Sequence, residues 1–143
     1  MPVPNYLLDA CALIAYYNKE EGTSTVRDIL ERAENGEFSI NIHAVNLIEV
    51  YYDRIRVDGP EKADNIIRGI YEEFPITVLE TISPGIVSEA ARLKAKGKMS
   101  FADAILIATA RCTGSIVVTC DHVELGPVER DENIPFLWIR PHF

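Results

Sequence analysis

The sequence predicts a three-layer α/β/α domain built around a mostly parallel central sheet of four to five strands. Apolar runs rich in branched residues alternate with segments of helical period, and turn or capping residues separate them. Strands separated by one or two helices need crossover connections, which is how parallel strands are joined. The 143 residues, 48% of them hydrophobic and 25% charged, suffice for one core. We therefore assign residues 1–143 to a single domain.

The N-terminal half alternates short strands with amphipathic helices. Its predicted elements, in chain order, are a strand at 5–9, helices at 10–18 and 23–35, a strand at 38–41, and helices at 44–57 and 61–73. Gly36 is placed to end the second helix. The helix at 44–57 carries Val45, Ile48, Tyr52 and Ile55 at spacings of three and four, which predicts that this stripe faces the core.

The C-terminal half carries clear helix signals. Its predicted elements are a strand at 76–79, a helix from 83 to 97, a helix at 100–113, and strands at 116–119 and 136–139. Ser83 supplies a capping hydroxyl and Pro84 follows at the first helical position. Gly97 and Gly114 are placed to end the two helices. The β-branched run at 116–119 is typical of a strand buried on both faces.

The charge balance and the cysteines exclude several classes of protein. With 14 basic and 22 acidic residues, the net charge of −8 disfavours a protein that binds polyanions by uniform attraction. The chain lacks a signal-peptide pattern and a membrane-spanning apolar stretch, so we expect a cytoplasmic protein with no membrane partner. Cys11, Cys112 and Cys120 lack metal-site spacing, and we expect them to be reduced core residues.

Two aspartates follow predicted buried strands. Asp9 ends the first strand, and Asp121 comes directly after the run 116–120. Ligands of an open α/β sheet bind at the carboxyl ends of its strands, which is where both carboxylates would lie. Helix capping is the structural alternative for Asp9, and ordinary turn chemistry is the alternative for Asp121.

Two further acids lie within apolar helices. Glu49 falls on the stripe predicted to face the core, although a slightly rotated helix would carry it to solvent. Asp103 is surrounded by core residues, and its spacing from Ser100 also matches a capping box. Capping and a functional role are compatible for a carboxylate in the first turn.

The four acids together point to a metal centre. Carboxylates held close together raise each other's pKa, so a cluster that stays ionised implies a compensating cation. Oxygen ligands without a His or Cys cluster favour Mg²⁺ or Mn²⁺ over zinc. Such an ion can activate water for phosphodiester hydrolysis, so no histidine is needed as a strong base. This agrees with the unremarkable settings of His43, His122 and His142.

Four segments resemble the PIN-domain ribonucleases, and within that family the VapC-type toxins of prokaryotic toxin–antitoxin pairs. These segments are 7–14, 46–50, 100–110 and 118–121, and they occur in the family's order across nearly the whole chain. The resemblance implies a PIN-like fold in which Asp9, Glu49 and Asp103 are the principal metal-binding and catalytic acids. Asp121 matches the fourth, more variable acid, and Thr119 matches a supporting hydroxyl.

The resemblance also implies a substrate and partners. Family members cut RNA with Mg²⁺ or Mn²⁺, often form homodimers, and in the toxin branch are blocked by an antitoxin. The antitoxin binds apolar groups on the early helices, which here would be any exposed members of Leu13, Val26, Ile29 and Leu30. An RNA-processing nuclease outside any toxin system, or a PIN-like scaffold that does not cut, are the alternatives that the resemblance leaves open.

RNA binding by an acidic protein requires locally concentrated positive charge. The segment 92–98 carries Arg92, Lys94, Lys96 and Lys98 and leads into the helix of Asp103, so we expect it to contact phosphates. Basic residues also favour helix C-termini for electrostatic reasons, which is the structural alternative. Arg54 and Arg56 are secondary candidates with the same ambiguity.

Overall fold

The computed structural model of the protein describes residues 4–141, so residues 1–3, His142 and Phe143 lie outside the described part. The strands are β1 (Asn5–Leu8), β2 (Ser39–His43), β3 (Ile76–Leu79), β4 (Ile116–Thr119) and β5 (Phe136–Trp138). The helices are α1 (Ala10–Tyr17), α2 (Thr23–Glu34), α3 (Ala44–Asp58), α4 (Pro60–Glu72), α5 (Pro84–Lys96), α6 (Phe101–Thr113) and α7 (His122–Glu132).

The five strands form one parallel sheet in the order β3-β2-β1-β4-β5. Leu8 pairs with Val118 in the central β1–β4 ladder. The predicted fold class is confirmed, and β1 is central, as the apolar run before Asp9 indicated. Because all strands run in one direction, their carboxyl ends share one edge of the sheet.

Alternating side chains of the central strands divide the core between the two faces of the sheet. Leu8 and Val118 pack with apolar residues of α1 to α4. Leu7 and Val117 pack with those of α5, α6 and α7. This alternation is the period of two expected of an extended strand, and it produces the helix–sheet–helix layering.

The predicted helix caps on the second face are confirmed. Ser83 Oγ accepts a hydrogen bond from the Ile86 amide at 3.3 Å, and Ser100 Oγ accepts one from the Asp103 amide at 3.1 Å. Gly114 ends α6 in the left-handed region at φ +65°, where a residue without a Cβ is favoured. These caps set where α5 and α6 begin and where α6 returns to the sheet.

The prediction for the core-facing side of α3 was wrong. Ile48, Tyr52 and Ile55 are exposed, whereas the buried face carries Leu47, Val50 and Arg54 with Asn46. A polar face can be buried because the Arg54 guanidinium bonds Asp53 at 2.8 Å and Asp58 at 3.3 Å. A prediction based on the spacing of apolar residues takes no account of such ion pairs between charged residues. The rotation leaves Glu49 half-buried at the edge of the core.

Three other expectations differ from the structure. Helix α7 was not predicted, since Gly126 and Pro127 resemble a break, yet the helix continues through both. Cys112 is exposed in the last turn of α6, where the helix leaves the core, whereas Cys120 is buried and Cys11 half-buried. The proposed antitoxin contacts on the early helices are all buried, and they are Leu13, Val26, Ile29 and Leu30.

These four residues are buried because the apolar side chains of α1 and α2 form the layer directly against the sheet. In the range 4–141, none of the helices has both the length and the apolar character needed to cross a membrane.

Candidate active site

The candidate site lies at the carboxyl ends of β1 and β4, where the strand order changes direction. Such a switch point leaves a crevice between the connections that diverge from it. Asp9 follows β1 directly, and Asp121 lies two residues after the end of β4. Glu49 lies in α3 and Asp103 in the first turn of α6, and both are close enough for the charge of Asp9 to act on them. Four separate elements thus contribute the four predicted acids.

Asp9 is the most deeply buried of these acids, with 5% of its surface exposed. Its Oδ2 accepts a hydrogen bond from Thr119 Oγ1 at 2.8 Å and one from the Cys11 thiol at 3.3 Å. Burial raises the pKa of Asp9, the two hydrogen bonds lower it, and the charge of Asp121 raises it; the net direction is upward. The chain therefore holds this carboxylate in place at an electrostatic cost.

Thr119 links Asp9 to the backbone that carries Asp121. Its hydroxyl donates to Asp9 and accepts a hydrogen bond from the Asp121 amide at 3.1 Å. The sequence had indicated a supporting hydroxyl at this position, and the structure places it in contact with Asp9. One hydroxyl thus holds the ends of two neighbouring strands in register beside the acids.

The charges of the four acids act on one another. Burial raises the pKa of Asp103 to about 7, and the charges of Asp9, Glu49 and Asp121 add to that rise, against a hydrogen bond with Ser100 that lowers it. Burial also raises the pKa of Glu49, and the charge of Asp9 raises it further. These carboxylates are therefore near enough to destabilise each other's ionised forms.

Asp121 has a structural task as well as its place in the cluster. Its Oδ1 accepts a hydrogen bond from the Glu124 amide at 3.1 Å and caps α7. The structural alternative weighed for this residue was turn chemistry, and the structure shows a helix cap instead. It does not remove the carboxylate from the site, because the same charge acts on Asp9 and Asp103.

The acids offer the donor chemistry that a hard divalent cation requires. All four are carboxylates, and a cation would relieve the mutual repulsion that raises the pKa of Asp9, Glu49 and Asp103. Within residues 4–141, no three His, Cys, Asp or Glu side chains already stand in a metal-holding arrangement. The acids therefore fit such an ion by their donor chemistry.

The side-chain oxygen of Asn46 lies between α3 and α6, the helices that carry Glu49 and Asp103. It is fully buried, and its Nδ2 donates to the Ala102 carbonyl at 3.4 Å, next to Asp103. Its Oδ1 has no hydrogen-bond partner among the residues described. A buried oxygen without a partner is free to bind a water molecule or an ion. Asn46 precedes Glu49 by three residues, so both project from the same part of α3.

The profile of the PIN domain matches residues 6–123 of the sequence. This chain belongs to the PIN domain family. No curated protein matches it closely enough to add a more specific relative.

Solved structures share the fold of this PIN domain. VapBC2 from Rickettsia felis, bound to a promoter DNA fragment, has a TM-score of 0.72 and 17% identity, covering 93% of this chain and 97% of its own. DNA-bound VapBC from Salmonella typhimurium has a TM-score of 0.69 and 17% identity, covering 96% and 99%. VapC20 of Mycobacterium tuberculosis, a toxin that cleaves the sarcin–ricin loop, has a TM-score of 0.64 and 14% identity, covering 85% and 94%.

Three of the four cations in the basic segment 92–98 of this PIN domain bond within the protein. Arg92 and Lys96 contact the Glu132 carboxylate at 2.5 and 2.7 Å. Lys94 donates to the Met99 carbonyl at 2.5 Å, and Lys98 is exposed. Two of the four cations expected to contact phosphates are thus partly neutralised within the protein.

The secondary basic candidates and the histidines have structural surroundings. Arg54 is buried between carboxylates, so it is not free to bind RNA, while Arg56 lies over the exposed ring of Tyr52 at 4.8 Å. The His43 ring caps α3 by accepting from the Val45 amide at 3.1 Å. His122 stacks on Trp138 at 4.0 Å. The two described histidines therefore have roles in packing and capping.

Cys11 is the residue at this site that sequence reasoning missed. It was expected to be a core residue, yet its sulfur contacts both Asp9 and Thr119. The available signal was its place in the first turn of α1, two residues after Asp9, where a side chain can turn back to the carboxylate.

Proposed function

We propose that this PIN domain is a metal-dependent endoribonuclease that hydrolyses RNA phosphodiester bonds and acts as the toxin of a toxin–antitoxin pair. The observation that carries the proposal is the buried carboxylate of Asp9, held by Thr119 at the switch point of the sheet and repelled by the other acids. Carboxylates with such perturbed pKa values are concentrated at the functional sites of proteins.

Each acid has a proposed role. Asp9, Glu49, Asp103 and Asp121 would hold Mg²⁺ or Mn²⁺, and Thr119 would keep Asp9 oriented toward it. When bound, such an ion lowers the pKa of a water ligand and neutralises charge on phosphoryl oxygens. The chain supplies no covalent nucleophile in this proposal, because water attacks phosphorus. Its residues act by position and charge.

RNA is the proposed substrate because the chemistry of the acids suits phosphodiesters and one structural neighbour is a toxin that cleaves the sarcin–ricin loop. With a net charge of −8, the protein needs cations near the site to hold a polyanion. Lys98 is exposed shortly before the helix of Asp103, and we propose that it contacts phosphate. Arg92, Lys94 and Lys96 would add weaker attraction, since they also bond within the protein.

An antitoxin is the proposed regulatory partner, and two structural neighbours are VapBC complexes bound to DNA. Leu13, Val26 and Ile29 are buried against the sheet and cannot receive it. A groove of about 600 Å³ beside α2 can, and it combines aromatic and charged side chains. Its lining comprises Tyr16, Arg27, Leu30, Glu31, Glu34, Asn35, Phe74 and Pro75.

A homodimer is the proposed assembly. The exposed stripe of α3, formed by Ile48, Tyr52 and Ile55, is an apolar surface with helical spacing on an otherwise acidic protein. Burying such a stripe against a second copy removes it from water. The proposed site of action is the cytoplasm, where RNA is available.

The decisive assay is cleavage of single-stranded and hairpin RNAs in Mn²⁺, Mg²⁺ or EDTA. We expect metal-dependent cutting by the wild type and by Asp28→Asn, an exposed acid on α2 that serves as the charge-matched control. Asp9→Asn and Asp103→Asn should fold, by circular dichroism, and should not cut.

The outcomes of that assay separate the alternatives. Metal binding and RNA binding without cutting would favour a PIN-like scaffold. Cutting without any growth arrest on expression, and without a partner encoded beside the gene, would favour an RNA-processing nuclease. Equal cutting by wild type and Asp9→Asn would overturn the assigned site.

A further inference from the structure

Two cysteines meet beneath the candidate site. Cys11 lies in the first turn of α1, and Cys120 comes directly after β4. The β1–β4 ladder pairs Leu8 with Val118, so these cysteines follow paired positions by three and two residues. Parallel strands leave the sheet side by side, which brings two positions distant in sequence into contact.

The contact is direct. The Cys120 amide donates a hydrogen bond to Cys11 Sγ at 3.2 Å, so the Cys11 sulfur lies against the backbone of Cys120. The remaining cysteine, Cys112, is exposed near the end of α6. Cys11 and Cys120 therefore form a contacting pair, and Cys112 serves as a comparison thiol within the same chain.

The Cys11 sulfur also belongs to the network that holds Asp9. It lies 3.3 Å from Asp9 Oδ2 and 3.1 Å from Thr119 Oγ1. As a thiol it can donate its proton to the carboxylate, whereas a disulfide sulfur has no proton to donate. Any covalent change at Cys11 therefore reaches the most buried acid of the site.

We propose that Cys11 and Cys120 form a reversible disulfide that withdraws a hydrogen-bond donor from Asp9. Hydrogen peroxide, a water-sized oxidant, supplies the chemistry. The thiolate of one cysteine attacks a peroxide oxygen, the O–O bond breaks, and a sulfenic acid and water form. The second thiol attacks the sulfenic sulfur, an S–S bond forms, and a second water leaves. Both sulfurs are oxidised and the peroxide is reduced.

The disulfide would remove one of the hydrogen bonds that hold Asp9. Bond formation brings the two sulfurs within a covalent bond length, and the Cys11 sulfur then carries no proton to donate to Asp9. Asp9 keeps the Thr119 hydrogen bond and loses the one from Cys11. This consequence rests on the proposed function, whereas the disulfide itself does not.

The first readout is chemical and needs no activity. In the Cys112→Ser variant, peroxide treatment followed by alkylation should leave no alkylated thiol, and intact mass should fall by two hydrogen atoms. Peptide mapping should recover residues 11 and 120 in one cross-linked peptide, and dithiothreitol should restore both thiols. Cys11→Ser/Cys112→Ser and Cys120→Ala/Cys112→Ser should show no such cross-link.

Either of two results would overturn the proposal. One is full alkylation of both cysteines after peroxide, and the other is a cross-link through Cys112 in the wild type in place of the pair. Two independent single-cysteine variants keep the test decisive if one of them folds poorly.

The second readout connects the disulfide to the site. We expect oxidation to lower the RNA cleavage rate of Cys112→Ser about tenfold, the scale on which partners of metal-binding residues act, with recovery in dithiothreitol. Cys120→Ala/Cys112→Ser should resist peroxide. A disulfide that forms without changing the rate would refute the proposed effect on Asp9. Absence of cleavage in the reduced wild type would instead count against the nuclease.

Discussion

Replacing Asp103 with asparagine should stabilise the metal-free protein at alkaline pH, although most substitutions destabilise. Burial, together with the charges of Asp9, Glu49 and Asp121, raises the pKa of Asp103 to about 7 from its ordinary value of 3.8. Because the ionised form is disfavoured in the folded state, the carboxylate lowers the free energy of unfolding increasingly as the pH rises from 3.8 toward 7, and fully above that. Asparagine has no such charge, and the backbone N–H of residue 103 keeps its hydrogen bond to Ser100 Oγ.

The magnitude follows from that pKa difference. It corresponds to about 4 kcal/mol as an upper bound, since one pKa unit is about 1.4 kcal/mol. Asp103 is only half-buried and its neighbours can relax, so we expect a gain of about 1–2 kcal/mol. The gain should be full at pH 8, shrink as the pH falls through 7, and vanish below about pH 4, where the carboxyl is protonated in both folded and unfolded chains.

Urea unfolding in EDTA at several pH values measures this gain directly. Asp28→Asn is the control, because its exposed surface pair with Arg32 should contribute little at any pH. A variant that is less stable than the wild type at pH 8 would refute the reasoning. A gain that does not change between pH 8 and pH 4 would also refute it, since the benefit would then not arise from charge.

Three further predictions concern other surfaces. Glu132→Gln should lower stability by about 1–2 kcal/mol at pH 7 in urea unfolding, because the hydrogen bond from Arg92, helped by Lys96, lowers the pKa of Glu132 to about 2. That loss should fade as the pH drops from about 4.5 toward 2, and a pH-independent loss would contradict it. Lys98→Gln should reduce the salt slope of RNA binding by about 1, and an unchanged slope would remove Lys98 from the interface. Ile55→Asp should shift the mass in light scattering from dimer to monomer; an effect equal to that of Val87→Asp, on an exposed site of α5, would argue against the α3 stripe.

The sheet, the helix caps and the position of Asp9 were predictable because they depend on local signals. The strands β3 and β4 begin and end where the apolar β-branched runs do. Ser83, Ser100 and Gly114 mark helix ends because capping involves only neighbours in sequence. Asp9 could be placed at the end of a central strand because its preceding run is wholly apolar.

The orientation of α3 was not predictable from the spacing of its apolar residues, because it depends on ion pairs between charged residues. Arg54 is 2% exposed because Asp53 and Asp58 compensate its charge, and that compensation lets a polar side turn inward. The engagement of Arg92 and Lys96 likewise depends on Glu132, which lies in the helix that was not predicted. The Cys11–Cys120 contact arises from strand pairing over more than a hundred residues of chain.

The most direct test of the central claim is Mn²⁺ binding followed by electron paramagnetic resonance, in which the signal of free Mn²⁺ falls as the ion is bound. We expect saturable binding by the wild type and by Asp28→Asn, and loss of that binding in Asp9→Asn and Asp103→Asn, with all four proteins folded by circular dichroism. Binding that survives both substitutions, or no binding by the wild type at millimolar Mn²⁺, would contradict a metal centre at the ends of β1 and β4.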